Sequence, residues 1–132
     1  MAERSFIDTN VAVYLLGDEV DKAARAEQLL TTRPCVSTQV LNEFISVCTR
    51  KMGLSRIAAH ENARALMSNC NVVPVTATTV ERAMRLGERH GFSHWDALIV
   101  AAAQLAECDV IYTEDMQDGL RLDGLSICNP FG

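Results

Sequence analysis

Apolar residues occur along the chain in short unbroken runs and in longer stretches where they recur every three or four positions. A short apolar run bounded by polar residues is typical of a buried β-strand, whereas a repeat near 3.6 residues is typical of an amphipathic helix. The short runs predict strands over 4–7, 34–37, 72–75, 110–113 and 125–128. The periodic stretches predict helices over 11–16, 18–30, 38–52, 55–69, 78–90 and 93–107.

The predicted strands and helices alternate. This order is typical of an α/β fold with a mostly parallel central sheet flanked by helices on both faces. Pro74 lies in the predicted strand 72–75 and lacks the N–H that an interior strand needs, so this strand is expected at a sheet edge. Because no linker, repeat or low-complexity segment interrupts the pattern, we expect a single domain over 1–132.

Helix 93–107 differs from the other predicted helices because every residue from Ala97 to Ala103 is apolar. Such a helix is expected to be buried on most of its faces. Asp96 nevertheless lies in its first turn, where Ser93-x-x-Asp96 fits a capping box with Asp in place of the usual Glu or Gln. Capping alone would explain this carboxylate.

Composition limits the class of protein. With 132 residues, 48% of them hydrophobic, and a net charge of −5, the chain is ordinarily globular and does not coat nucleic acid by charge alone. The five cysteines are scattered and never spaced as CxxC, so we expect reduced, buried thiols in a cytoplasmic protein. No apolar run approaches the roughly 20 residues that span a bilayer, so no membrane segment is expected.

Acidic residues occur where the ends of the predicted strands would bring them to one edge of the sheet. Asp8 directly follows the first strand, and Glu114 and Asp115 follow the fourth. In open α/β sheets, ligands bind beyond the carboxyl ends of the strands. Glu43 lies at the border of the apolar arc of the third predicted helix, where a carboxylate can enter a cleft.

Each acid also has a simpler interpretation when it is taken alone. Asp8 can cap a helix, and Asp115 can be an ordinary turn residue. Glu43 can be a solvated helix residue paired with a basic neighbour. The functional interpretation therefore depends on whether these three carboxylates and that of Asp96 converge.

Four converging carboxylates would need to be protonated or neutralised by cations, because ionised carboxylates that share a site repel each other. All-oxygen ligands suit Mg²⁺ or Mn²⁺, whereas Zn²⁺ usually takes His or Cys. The three histidines, His60, His90 and His94, show no metal-binding spacing. An acidic centre with bound Mg²⁺ commonly carries out phosphoryl transfer, so the acids favour that chemistry.

The segments FIDTN, LNEF, SHWDALIVAAA and IYTEDMQDG, in this order and spacing, resemble the PIN-domain ribonucleases. Within that family the VapC-type toxins of type II toxin–antitoxin modules are the most similar. The resemblance extends to the closing LSICNPF and so covers nearly the whole chain, and the ordered set is more specific than any one motif. It implies a PIN-like α/β fold and a metal-binding acidic quartet of Asp8, Glu43, Asp96 and Asp115.

The resemblance also implies further positions and an activity. Thr113 matches the family's hydroxyl residue at the strand end, and Glu114 is a further acid beside it. Thr9 and Asn10 match positions that flank the first Asp. The implied activity is that of a Mg²⁺-dependent endoribonuclease, with Mn²⁺ able to replace Mg²⁺, that hydrolyses RNA to a 5′-phosphate and a 3′-hydroxyl.

The partners implied by the resemblance are proteins as well as RNA. VapC-type toxins are usually homodimers, and each is neutralised by a small VapB-like antitoxin whose C-terminal segment approaches the metal site. The predicted helices 11–16 and 18–30 are candidate walls of the antitoxin groove. Their apolar stripes could equally face only the core.

Basic and aromatic residues offer possible contacts with RNA. Arg82, Arg85 and Arg89 share a helical face and could grip phosphates, although an exposed face with pairs such as Glu81–Arg85 explains them equally well. Trp95 could stack on a base, but buried packing is the more common role beside an apolar helix. A second basic group comprises Arg50, Lys51 and Arg56.

Two other functions fit the same sequence. One is a PIN-fold nuclease of RNA processing outside toxin–antitoxin systems, and the other is a non-catalytic module that binds a metal or a partner. Receiver domains and haloacid-dehalogenase phosphatases fit less well, because the only lysines, Lys22 and Lys51, lie in predicted helices and Asn10 replaces the second Asp of Asp-x-Asp. The RNA target and the number of metal ions stay open.

Overall fold

The computed structural model describes residues 2–132, which form six strands and six α-helices. The predicted α/β class is confirmed, while the single domain over 1–132 stays a prediction, and Met1 lies outside the described residues. The strands are β1 (Ser5–Ile7), β2 (Cys35–Ser37), β3 (Asn71–Val73), β4 (Val110–Tyr112), β5 (Arg121–Leu122) and β6 (Leu125–Cys128). The helices are α1 (Thr9–Ala12, followed by a 3-10 turn, Val13–Leu16), α2 (Val20–Leu30), α3 (Thr38–Arg50), α4 (Arg56–Asn69), α5 (Ala77–His90) and α6 (His94–Leu105).

The strands form one sheet in the order β3-β2-β1-β4-β6-β5, and all neighbours are parallel except β5 and β6. β3 lies at an edge and ends before Pro74, as expected of a strand next to proline. Ile7 pairs with Tyr112, so β1 and β4 end side by side. Asp8 and Thr113, the residues that follow, are therefore neighbours at the carboxyl edge of the sheet.

The strand order also determines which helices cover which face. The chain runs from β1 through β2 to β3 in one direction along the sheet and then returns past β1 to β4. Because crossovers between parallel strands are right-handed, α1 to α4 lie on one face and α5 and α6 on the other. The direction changes between β1 and β4, and such a switch point is where open α/β sheets bind ligands.

The helix ends follow local capping signals. Ser93 caps α6, as predicted, and Ser55 caps α4. α3 begins at Thr38 with Ser37 as its cap, and α5 begins one residue earlier than predicted, at Ala77, because Thr76 caps it. Gly91 ends α5 with a φ of 75°, a conformation that favours glycine.

Helix α6 is buried throughout its apolar run, from Ala97 to Ala103. Ala97 and Ala101 pack with Ala83 of α5, and Ile99 and other residues of the run belong to the main core. α6 also contacts β2 and β4. These contacts fix the first turn of α6 relative to the carboxyl edge of the sheet.

One strand lies outside the predicted set. Arg121–Leu122, before the predicted strand 125–128, forms β5, antiparallel to β6. A strand of this length is too short to show alternation. The connecting turn has a clear signal, because Asp123 and Gly124 both have positive φ, 48° and 85°, as in the Asp-Gly turns of tight hairpins.

The cysteines agree with the expectation of unpaired thiols. Cys35, Cys48, Cys70 and Cys108 are buried, Cys128 is partly exposed, and all are free.

None of the helices in residues 2–132 is long and apolar enough to cross a bilayer.

Candidate functional site

Asp8 lies at the end of β1 and is the N-cap of α1, with only 7% of its surface exposed. Its Oδ1 accepts the backbone N–H of Thr9 at 2.7 Å, and its Oδ2 accepts the hydroxyl of Thr113 at 3.0 Å. The backbone N–H of Asp8 donates to the carbonyl of Tyr112 at 3.1 Å. Asp8 therefore caps a helix and at the same time faces the end of β4.

The amide of Asn10 connects the ends of β1 and β4. Its Nδ2 donates to the Thr113 hydroxyl and to Asp115 Oδ2, both at 3.0 Å, and more weakly to Asp8 Oδ2 at 3.4 Å. Its Oδ1 accepts the backbone N–H of Glu114 at 3.0 Å. The loop after β4 is thereby held with the Asp115 carboxylate close to Asp8.

Helix α3 brings Glu43 to the same edge of the sheet. The hydroxyl of Thr9 donates to Glu43 Oε1 at 3.1 Å, and Thr9 is the residue next to Asp8. Glu43 is half-buried, in agreement with its expected position at the border of the apolar arc. No ion pair joins it to a basic residue in the described part of the chain.

Helix α6 contributes Asp96 from its first turn. Ser93 Oγ accepts the Asp96 backbone N–H at 3.1 Å, which is one half of the predicted capping box. Burial raises the pKa of Asp96, the Ser93 side chain lowers it by hydrogen bonding, and the charge of Asp115 raises it. Asp96 therefore lies within electrostatic reach of Asp115 as well as at a helix N-terminus.

The Asp8 carboxylate is costly to ionise. Its pKa is raised from 3.8 to about 6, chiefly by burial, and hydrogen bonds from Thr9 and Thr113 offset part of this rise. The charges of Glu43 and Asp115 contribute to the rise. The four acids that the sequence singles out thus lie at the same edge of the sheet, each within electrostatic reach of at least one other, and we refer to them as the acid cluster: Asp8, Glu43, Asp96 and Asp115.

The acid cluster has no basic partner in residues 2–132, since neither ion pair found there includes one of its members. Uncompensated negative charge and an all-oxygen donor set suit a hard divalent cation. Within the same residues, no three His, Cys, Asp or Glu side chains stand close enough to hold an ion. Thr9 and Asn10 donate hydrogen bonds to the carboxylates. By charge and donor type the acid cluster suits a divalent cation, and binding one would require its side chains to draw closer together than they lie here.

Glu114 has different partners from the acid cluster. Lys22 Nζ lies 2.8 Å from its Oε2, and the Tyr14 hydroxyl lies 2.7 Å from its Oε1. Burial alone would raise the pKa of Glu114, but the hydrogen bonds from Lys22 and Tyr14 bring it below its ordinary value. Lys22 also lies over the rings of Tyr14 and Phe131, 4.7 and 5.3 Å from their centroids. Sequence reasoning missed this contact, because Lys22 and Glu114 are 92 positions apart and share no motif.

The three arginines of α5 lie away from the acid cluster. Arg82, Arg85 and Arg89 line a cleft of about 770 Å³ that shares no lining residue with the cluster. Arg82 donates to Gln104 at 3.2 Å, and Arg85 pairs with Glu81 at 3.1 Å. The predicted Glu81–Arg85 pair is thus present on this face.

Trp95 does not have the buried packing role that its place beside an apolar helix favours. Its side chain is 65% exposed. His94 is exposed too, and burial is continuous only from Ala97 onward. The expectation is wrong because the first turn of α6 extends beyond the residues that pack on the helix.

Comparison with known proteins relates this arrangement to a family. A family model described as PIN domain matches residues 5–118, which include every member of the acid cluster. Among curated proteins, none matches the chain by sequence.

Solved structures match the fold over most of its length. A toxin–antitoxin complex from Klebsiella pneumoniae contains a chain with a TM-score of 0.73 and 20% identity, and the match covers 96% of this chain and 97% of that one. VapC20 of Mycobacterium tuberculosis is a toxin that cleaves the sarcin-ricin loop. Its TM-score is 0.68 at 25% identity, and the match covers 84% of this chain and 89% of that one. For DNA-bound VapBC of Salmonella typhimurium the TM-score is 0.71 at 18% identity, and the match covers 96% of this chain and 97% of that one.

Proposed function

The chain belongs to the PIN domain family, and we propose that it is a divalent-metal-dependent endoribonuclease that acts as the toxin of a toxin–antitoxin pair. The observation that carries the proposal is the acid cluster. Its members come from the end of β1, α3, α6 and the loop after β4, and the charge of Asp115 raises the pKa of both Asp8 and Asp96. Without a cation, ionised carboxylates at one edge of the sheet repel one another, at a cost in stability.

In the proposed reaction, water attacks an RNA phosphodiester in line and leaves a 5′-phosphate and a 3′-hydroxyl. Mg²⁺ or Mn²⁺, when bound, would supply Lewis-acid stabilisation of the phosphate and make water a stronger nucleophile at neutral pH. Asp8, Asp96 and Asp115 are the proposed direct ligands. Glu43, held by Thr9, would orient the attacking water or contact the metal through water.

Thr113 and Asn10 would hold the ligands in position. Each forms a hydrogen bond with Asp8, and Asn10 also donates to Asp115. Removal of a hydrogen-bonding partner that holds a metal ligand commonly lowers metal affinity or activity by about 10- to 100-fold. Glu114, whose charge is balanced by Lys22, is assigned a role in holding the loop after β4.

The toxin assignment rests on the relatives. One similar structure is described as a toxin–antitoxin complex, one as a toxin and one as VapBC, and the match covers most of each chain. A small VapB-like antitoxin is proposed on this basis, and a homodimer is proposed from the resemblance to VapC-type toxins. The 3-10 turn and α2 are the proposed walls of the antitoxin groove, where Val20 is 79% exposed.

An RNA cleavage assay tests the nuclease. We expect the purified protein to cleave a mixed RNA pool with Mg²⁺ or Mn²⁺ and not with EDTA. Asp8→Asn and Asp96→Asn should lower the rate by roughly three orders of magnitude, because a metal site supplies several kcal/mol of transition-state stabilisation. Asp123→Asn in the exposed β5–β6 turn is the matched control and should keep full activity. Full activity in both cluster variants would refute the proposal.

A growth assay tests the toxin role. Brief expression should stop growth, and sequencing of RNA ends should show sites that are absent with Asp96→Asn. Co-expression of a short open reading frame found beside the gene should restore growth. Cleavage without growth arrest or neutralisation would favour a nuclease of RNA processing instead.

A further inference from the structure

We propose that α3 and the first turn of α6 form a nucleobase subsite that holds one base of the RNA next to the acid cluster. The proposal rests on the proposed endoribonuclease function and adds a determinant of which RNA position is cleaved. It comes from a cavity beside the acid cluster that shares only Glu43 with it.

The cavity lies between α3, α6 and the segment that follows β3, and its volume is about 470 Å³. This falls within the range of roughly 300–1,000 Å³ that is usual for small-molecule sites. Apolar side chains, Val75, Leu98 and Trp95, form much of its lining. Polar groups enter from one side only, on α3, and include Gln39 and Asn42.

Trp95 gives the cavity an exposed aromatic face. A tryptophan that is 65% exposed is unusual on a protein surface, because its large apolar area is normally removed from water. Flat aromatic side chains are the common platforms on which single-stranded RNA stacks its bases. Leu98, one turn further along α6, is nearly buried and lies at the same cavity.

Gln39 presents an unused hydrogen-bond acceptor. Its Nε2 donates to the carbonyl of Trp95 at 3.2 Å, which leaves its Oε1 buried and without a hydrogen-bond partner among the described residues. A buried acceptor of this kind costs free energy until a donor reaches it. Every RNA base carries an N–H group on its pairing edge that can supply the donor once the Gln39 side chain turns its Oε1 toward the cavity.

The charge of the lining favours a base over a phosphate. None of the described lining residues is Lys or Arg, and one of them is the carboxylate of Glu43. A phosphate in the cavity would be repelled by this charge, whereas a neutral aromatic ring would not. The cavity therefore suits the uncharged part of a nucleotide.

The cavity adjoins the acid cluster along both of its walls. Glu43 belongs to both, and Trp95 directly precedes Asp96 on α6. A base on Trp95 would therefore belong to a nucleotide at or next to the cleaved bond. The same contacts would orient the phosphodiester relative to the acids.

The single tryptophan of the chain makes the proposal directly testable. Its fluorescence is recorded while a short RNA of random sequence is added in EDTA, so that binding is measured without cleavage. We expect the RNA to quench the emission and an abasic ribose-phosphate chain of the same length to leave it unchanged. Equal quenching by both chains, or none by the RNA, would overturn the subsite.

Variants separate stacking from folding. Binding of labelled RNA, measured by anisotropy, should weaken about 5- to 150-fold in Trp95→Ala, the range expected for one stacked base. Trp95→Phe should retain most of the affinity, and Ile57→Ala, an equally exposed apolar residue at 71%, should bind like the unmodified protein. Unchanged binding by a folded Trp95→Ala protein would contradict the proposal.

The same measurements distinguish the subsite from the nuclease. RNA cleavage in Mg²⁺ without base-dependent quenching would remove the subsite and leave the function. Quenching without cleavage would remove the nuclease function and leave a base-binding subsite. A change of emission that follows protein concentration, or that needs the antitoxin and not RNA, would assign the cavity to a second copy or to the antitoxin and overturn the proposal.

Discussion

Asp8 illustrates how one side chain can hold two roles that have opposite electrostatic consequences. As an N-cap it accepts the Thr9 N–H, which favours the ionised carboxylate. As a buried member of the acid cluster it is penalised when ionised, and burial is the larger effect on its pKa. A residue needed only as a cap gains nothing from such burial, so the position of Asp8 agrees with the proposed cation site.

The raised pKa of Asp8 predicts a pH-dependent stability of the protein in EDTA. Since the pKa is 3.8 ordinarily and about 6 in the fold, the folded state binds more protons between these values. Its free energy of unfolding therefore falls as pH rises, by roughly 3 kcal/mol from this group. Asn at position 8 does not titrate, so the stability of Asp8→Asn relative to the unmodified protein should rise by a similar amount from about pH 4 to about pH 7.

Urea denaturation at the two pH values measures this difference. Asp123→Asn, at an exposed turn, serves as the control for the loss of one negative charge. A stability difference between Asp8→Asn and the unmodified protein that is constant with pH would show that Asp8 is not penalised by burial.

Asn10 has an amide where a carboxylate would be harmful without metal. Asn10→Asp removes the donor to Asp115 and adds a charge to the acid cluster, so we expect the free energy of unfolding in EDTA to drop by about 1–3 kcal/mol. Mg²⁺ or Mn²⁺ should recover much of the loss. Thermal unfolding with and without metal measures both effects.

Asn62→Asp is the matched control for Asn10→Asp, because Asn62 also donates through Nδ2, to the carbonyl of Ala58, but lies on α4. It should be destabilising without recovery by metal. Equal metal responses of the two variants would argue against the placement of the cation beside Asn10.

Among the elements, α6 is the helix whose formation most directly positions a member of the acid cluster. Its apolar run is buried, so the helix is fixed, and its first turn carries both Trp95 and Asp96 to the carboxyl edge of the sheet. The Ser93 hydroxyl completes this turn by accepting the Asp96 N–H. Capping and ligand placement therefore support each other.

Two serine caps allow this link to be tested. Ser93→Ala and Ser55→Ala should each cost about 1 kcal/mol of stability, the usual value for a lost N-cap. Only Ser93→Ala should also lower RNA cleavage, because Ser93 both positions Asp96 and lowers its pKa. Urea denaturation measures the stability of each variant, and initial rates of RNA cleavage measure its activity. If Ser55→Ala lowers the rate equally, the effect is one of general stability.

At the scale of the whole molecule, the change of direction between β1 and β4 gathers the acids. The repulsion among them should make the fold more stable when a divalent cation is bound. By linkage, metal at about 100 times its Kd adds about 2.7 kcal/mol to the free energy of unfolding. The thermal midpoint should thus rise with Mg²⁺ or Mn²⁺ in the unmodified protein and in Asp123→Asn. Asp115→Asn should show little of this rise, and a full rise there would exclude the acid cluster as the cation site.

The sequence by itself determined the elements and the candidate acids. The 3.6-residue period, the capping residues and the short apolar runs are local properties, so the α/β class, the edge position of β3 and the buried run of α6 could be predicted. The positions of Asp8, Glu43, Asp96 and Asp115 followed from strand ends, one helical wheel and the resemblance.

Only the tertiary structure decided which side chains meet. Thr9 with Glu43, Asn10 with Asp115, and the Lys22–Glu114 pair join distant segments, and no local period encodes such contacts. The exposure of Trp95 had the same origin, because it depends on how far α6 extends beyond the elements that pack on it. Local patterns specify backbone conformation, whereas the contacts of a side chain are set by the packing of whole elements against one another.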